Sequence, residues 1–132
     1  MVHLDDSEYA RLLGFRDGLR RFLRWSEQQA REAGLTPAQH QLLLAIRGHE
    51  GHPTIGDIAD HLLLRHNSAV ELIDRAEGAG LVRRVPDAED HRVVHVRLTQ
   101  SGARRLAALS AAHLEELERL APQVKPIWKG LP

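Results

Sequence analysis

Three helix-start signals crowd the middle of this chain, and their spacing limits the folds open to it. In "GLTPAQHQLLLAI", Thr36 precedes Pro37, and Gln39 follows three residues after the threonine. A threonine hydroxyl there accepts from the third residue's N–H while the Gln side chain reaches back, and proline suits a first helical position that has no use for its N–H. "PTIGDIADHLLL" repeats the arrangement with Thr54 and Asp57. "HNSAVELIDRAEGAGL" does so again with Ser68 and Glu71, and Gly80 supplies the stop. The spacing predicts helices over 54–64 and 67–79 separated by two or three residues, as in a helix-turn-helix. Ala59 is small where the second helix must cross the first.

Two short strands follow at once. "LVRRV" and "VVHVRL" are β-branched and alternating, and between them lies Pro86-Asp87-Ala88-Glu89-Asp90-His91-Arg92. A minimal hairpin needs only a two-residue turn. This longer, charged tip has two readings: a wing that reaches a partner, or a solvated end whose charges stop a β edge from pairing. Its place directly after a helix-turn-helix favours the wing.

Long helices flank this centre. Over residues 5–33, Tyr9, Leu12, Phe15, Leu19 and Phe22 recur at spacings of three and four, widened by Leu13 and Leu23. Such a helix would run ~43 Å, longer than a small domain is wide, so part of its apolar face is expected to pack outside its own domain. A last helix is expected from about 100 to 121, striped by Leu106, Leu109, Leu114, Leu117 and Leu120, stopped by Pro122 and followed by a short or irregular tail. The fold expected is mainly α with a small β-wing: a winged helix-turn-helix.

Composition removes several function classes. The 132 residues are the size of one domain, and the absence of cysteine excludes disulfides, thiolate catalysis and Cys-based zinc sites. No apolar run approaches 18 residues and the start "MVHLDDSEYA" is acidic, so neither a membrane span nor a secretory signal is expected, and the cytoplasm is the expected location. None of the five serines (7, 26, 68, 101 and 110) sits in a nucleophile elbow, and there is no phosphate loop or dinucleotide fingerprint, so no enzyme and no cofactor is expected. Nine histidines raise a metal site, but no pair has helical i, i+4 spacing beside an acidic third ligand, and no metal is expected.

Charge is less decisive. Basic and acidic residues balance at 18 each, where a nucleic-acid binder is often strongly basic. All basic residues except Lys125 and Lys129 are arginine, which forks onto phosphates and guanine edges but is also what a GC-rich genome encodes.

The candidate binding residues follow from the fold. The second helix of the pair leads into a major groove with its N-terminus, here Arg65, His66, Asn67 and Ser68, beside Thr54 of the preceding helix start. Arginine can grip guanine, asparagine adenine, and serine a phosphate. Ala69, Leu72, Ile73 and Ala76 read as the core side, which turns Glu71 and Arg75 outward. Glu71 either caps the helix or accepts from cytosine; Arg75 either meets a phosphate or pairs with Glu71. On the wing, Asp90 and Arg92 lie two apart on the outgoing strand, where the acid would hold the guanidinium extended for a minor groove, with His91 alongside. Trp25, His40 and Leu44 could line a cavity for a phenolic or carboxylate ligand; plain core packing is the simpler role for each.

"LTPAQHQLLLAI", "TIGDIADHLLLRHNSAVELIDRAEGAGLVRR", "DAEDHR" and "VRLTQSG" together resemble the multiple-antibiotic-resistance regulator (MarR) family of winged-helix transcription factors over residues 8–121. The resemblance implies a homodimer built from 5–33 and 100–132, with 36–98 as the DNA-binding part. It also implies binding to double-stranded DNA at a pseudo-palindromic operator, usually as a repressor, and release by a small aromatic or phenolic ligand. By position, Ser68 and its neighbours match the family's major-groove segment, and Asp90 and Arg92 its wing acid–arginine pair. Glu89 stands where many members carry another arginine, which would hand minor-groove insertion to His91 or Arg92. A chain ending soon after Pro122 would lack a further helix that the family often has, giving a smaller or differently shaped interface. Sensing of peroxide through cysteine is excluded. The rival reading is a winged-helix protein-interaction module without useful DNA affinity, supported by the neutral charge; between residues 61 and 97, six arginines face six acids.

Overall fold

The computed structural model describes the backbone of residues 2–128 and the side chains of residues 2–122. Its order is α1 (Asp6–Glu32), α2 (Pro37–Gly48), α3 (Ile55–Leu62), α4 (His66–Gly78), β1 (Val82–Pro86), β2 (Val94–Leu98) and α5 (Gln100–Trp128). β1 and β2 pair antiparallel with Arg84 opposite Val96 and Pro86 opposite Val94. The mainly α winged helix read from the sequence is the fold observed. No described helix is long and apolar enough to cross a membrane.

Two of the three helix starts form as expected. Thr36 accepts from the Gln39 N–H at 3.0 Å while Gln39 accepts from the Thr36 N–H at 3.0 Å. Thr54 and Asp57 do the same at 3.1 and 2.9 Å. The third box is absent: α4 begins two residues before Ser68, at His66, and its N-cap Arg65 makes no side-chain cap. Packing wins over capping here. Ala69, Ile73 and Ala76 are buried against the core and fix the helical phase, and the turn before them closes through the Leu64 N–H on the Ala59 carbonyl at 2.9 Å. Leu63 in that turn adopts left-handed backbone, φ 54°, a conformation that costs a leucine strain.

Proline does not stop the last helix. α5 continues through Pro122 to Trp128, so the irregular tail expected there begins no earlier than residues 129–132, which lie outside the described residues. Proline removes one N–H from the ladder and crowds the carbonyl of Glu118. Both residues are exposed, so water can take the freed carbonyl and the helix resumes.

The core gathers Leu42, Leu43 and Ile46 of α2, Ile58 of α3, Ile73 of α4, Leu81 and Val82 at the start of the hairpin, Val96 of β2, and Leu106 and Leu109 of α5. α1 contributes one buried residue, Ala30. Its Tyr9, Leu12, Leu13, Leu19 and Leu23 stay 42–60% exposed, and Leu114 and Leu117 of α5 are 63% and 48% exposed. The apolar stripe read from the sequence is real and lies outside the chain's own core.

A close approach joins the hairpin to α5. Thr99 donates its N–H to the Leu81 carbonyl at 3.0 Å and its hydroxyl to the Gly80 carbonyl at 2.6 Å, and accepts from the Gly102 N–H at 3.0 Å. A Cβ on Gly102 would sit 2.1 Å from the Leu81 oxygen. That atom belongs to backbone and cannot swing aside. Gly102→Ala is therefore expected to destabilise the fold by about 2 kcal/mol or more, seen as a fall of roughly 5 °C or more in thermal melting. An unchanged melting temperature would show that α5 can shift away freely.

Candidate nucleic-acid interface

α4 presents its N-terminal end to solvent. Arg65, His66, Asn67 and Ser68 are all exposed, and no side chain caps the helix, so its first N–H groups point outward with the positive end of the helix dipole. Ala69, Ile73 and Ala76 form the buried side and Leu72 packs partly against the core, while Glu71 and Arg75 face solvent. Among the described residues Arg75 makes no ion pair with Glu71, which leaves its guanidinium available. Thr54 is committed to its cap and to a single bridge with His95 of β2.

Arg84 ties the hairpin to this helix. From β1 its backbone N–H donates to Glu77 at 3.1 Å, one guanidinium nitrogen to Glu77 at 2.7 Å and the other to Asp74 at 2.6 Å. Such a fork fixes direction as well as distance. Two acids of α4 thereby share one cation, and the wing is set at one angle to the helix.

The wing tip is organised by two aspartates. Asp87 accepts from the N–H groups of Glu89 and Asp90, both at 3.0 Å, and meets His95 Nε2 at 2.7 Å. These bonds, the one from His95 foremost, hold its carboxyl down to about 2. Asp90 accepts from the Arg92 backbone N–H at 3.0 Å and from its guanidinium at 3.1 and 3.2 Å. The acid–arginine pairing expected from the sequence is present, but in the turn rather than on the strand, which starts only at Val94. Local side-chain bonds to the backbone compete with the ladder and bend the chain at this point. Arg92 stays 91% exposed beside exposed His91 and Glu89.

A second tie was not legible in the sequence. His95 donates through Nδ1 to the His52 carbonyl at 2.9 Å and through Nε2 to Asp87 at 2.7 Å, and the Val96 N–H donates to the Pro53 carbonyl at 2.9 Å. Residues 53–54 so extend the sheet edge toward α3. No local pattern marks a strand of this length; the only signal was His95 alternating on β2.

Elsewhere, His49 Nδ1 and His61 Nε2 lie 2.9 Å apart with Asp57 at 3.6 Å from His49. No group of three His, Asp or Glu side chains among the described residues is arranged to hold a metal.

A pocket of about 650 Å³ opens between α1, α2 and α5, a size suited to a small molecule. His40 and Leu44 lie on its wall; Trp25 stands one layer back, its ring 4.8 Å from His113 and 6.0 Å from Phe22. Burial, then the neighbouring His113, holds the His40 imidazole below its ordinary range. His113 and Ser26 were missed by sequence reasoning, being 87 positions apart, yet the Ser26 hydroxyl meets His113 Nε2 at 2.6 Å. His113 Nδ1 donates to the Leu109 carbonyl at 2.7 Å. This pair is not a triad, because no carboxylate backs the ring and the N–H groups around Ser26 are spent within α1.

A paired-helix reader, a braced wing and a helical pocket beside them define a winged helix-turn-helix protein. Residues 33–93 match the profile of the MarR family. Over 98 residues the chain is 32% identical to an uncharacterized HTH-type transcriptional regulator, YfiV of Bacillus subtilis strain 168, covering 70% of this chain and 61% of that protein. Over 69 residues it is 30% identical to the B. subtilis HTH-type transcriptional repressor MdtR, covering 52% and 44%. A mutant of S. aureus MepR bound to an oligodeoxyribonucleotide superposes with a TM-score of 0.70 at 26% identity, covering 87% of this chain and 83% of that one. In the sequence of residues 33–93 and in its fold the chain matches the MarR family. It spans 61% and 44% of the length of the two B. subtilis relatives.

The His95 tie sets a pH dependence. Both its partners accept, so only the imidazolium, with two N–H groups, satisfies both, and the Asp87 bond followed by the His52 carbonyl raises its pKa above 6.5. A raised folded pKa stabilises fully below 6.5 and is lost as pH rises through the folded value. Asp87, held near 2, stabilises above 3.8 and is lost on acidification toward 2. A histidine NMR titration is expected to place the His95 midpoint above 6.5, and His95→Phe to remove the alkaline step in wing stability. A midpoint at or below 6.5 would mean the tie is absent in solution.

Proposed function

We propose that this chain is a homodimeric transcriptional repressor, working in the cytoplasm, that binds a pseudo-palindromic operator in double-stranded DNA and is released by a small ligand. It is not an enzyme on this reading. The observation that carries the proposal is the exposed, uncapped start of α4 with a wing braced beside it through Arg84. Arg65, His66, Asn67 and Ser68 enter the major groove, Thr54 and Arg75 meet backbone phosphates, and His91 and Arg92 approach the minor groove. MdtR is named a repressor, and the MepR mutant is bound to DNA, which supports both halves of the reading.

Dimerisation is read from residues 5–33 and 100–132, through the exposed stripe of α1 and α5; in such a dimer the two α4 helices reach successive major grooves about 34–36 Å apart. The pocket between α1, α2 and α5, with His40 and Leu44 on its wall and Trp25 behind, receives the ligand. Sedimentation is expected to give twice the chain mass, and Leu12→Asp with Leu19→Asp to give single chains that stay folded. A monomeric wild type would leave the α1 stripe to another partner.

Fluorescence anisotropy with the DNA upstream of its own gene, titrated over salt, tests the central claim. Each neutralised phosphate adds about −0.9 to the slope of log K against log salt, and Arg92→Ala is expected to weaken binding about tenfold. A flat slope with no preference over random DNA would favour the protein-interaction module.

A further inference from the structure

The charge of the pocket wall says which ligands it accepts. Among the described residues its lining comes from α1, α2 and α5, with Glu27 as the acid and no arginine or lysine. Glu27 is exposed and makes no ion pair among the described residues. The two histidines do not supply the missing cation. His40 is buried, and burial works against its charged form. His113 Nδ1 is committed to the Leu109 carbonyl and its Nε2 to the Ser26 hydroxyl, so neither ring nitrogen is left to meet a ligand. What remains is Phe22, Pro37, the leucines, hydroxyl-bearing Ser26 and Ser110, and the uncharged amide of Gln41.

We propose that this pocket selects an aromatic cation and disfavours aromatic carboxylates; this rests on the ligand-site reading above. A carboxylate entering here gives up its hydration, finds no cation among the described residues, with only neutral donors such as Gln41, and approaches the charge of Glu27. An ammonium finds on the same wall the carboxylate of Glu27 and the aromatic ring of Phe22, whose quadrupole attracts a cation. The carboxylate ligand entertained from the sequence therefore fits this wall poorly, although a neutral phenol still fits.

Isothermal titration of the full chain at pH 7 with three probes sharing one ring system separates the possibilities: 1-naphthylmethylammonium, 1-naphthoate and uncharged 1-naphthol. Naphthol is expected to bind saturably and serves as the reference for the site itself. The ammonium is expected to bind about tenfold tighter than the carboxylate, one screened attraction set against one screened repulsion. In Glu27→Gln that ratio is expected to fall toward one. Naphthoate binding as tightly as the ammonium, or a ratio untouched by Glu27→Gln, overturns the charge preference while naphthol binding keeps the pocket. Absence of saturable binding for all three overturns the pocket reading and the preference with it.

Discussion

The structure turns on the junction where the Thr99 N–H and hydroxyl take the carbonyls of Leu81 and Gly80 and the bare Cα of Gly102 lets α5 lie against the hairpin. Three elements end or begin there: α4 has just finished, β2 has just closed and α5 starts. A side chain at Gly102 would separate them. Because α5 also packs on α1, this contact joins the outer helices to the part that carries α4. Backbone atoms make the joint, so little movement is available before hydrogen bonds break.

Arg84 and His95 then decide where the wing points. One holds β1 to the flank of α4; the other holds β2 to the loop before α3. A two-stranded hairpin alone is marginal in water. Braced on both strands it becomes a rigid arm, so that an arginine at its tip is held at a fixed place relative to the start of α4.

Much of this was legible from local pattern. Thr36 with Gln39 and Thr54 with Asp57 are capping boxes whose partners lie three residues apart, and such signals survive into the structure. Ser68 with Glu71 has the same local form and fails, because the burial of Ala69, Ile73 and Ala76 chose an earlier start. Pro122 fails as a stop for a related reason: its cost falls on a solvent-facing rung. Ser26 with His113, and His95 with the His52 carbonyl, join positions far apart in sequence, and only the packed helices bring them together. The exposed candidates at the start of α4 and on the wing were therefore readable as local pattern, whereas the braces beneath them were not.

The balanced charge of the chain is the strongest argument against a DNA partner, and geometry weakens it. Exposed charges more than a Debye length apart, about 8 Å at physiological salt, barely act on one another. What matters is the local count near α4 and the wing. Of the six acids between residues 61 and 97, Asp74 and Glu77 are taken by Arg84, Asp87 by His95 and Asp90 by Arg92. Glu71 and Glu89 remain. Against them stand the exposed Arg65, Arg75 and Arg83, none in an ion pair among the described residues. Arg92 is not added to them, because it already answers Asp90. The exposed charges outside ion pairs at this edge are thus three arginines against two acids, because folding places the other four acids in the contacts that hold the wing.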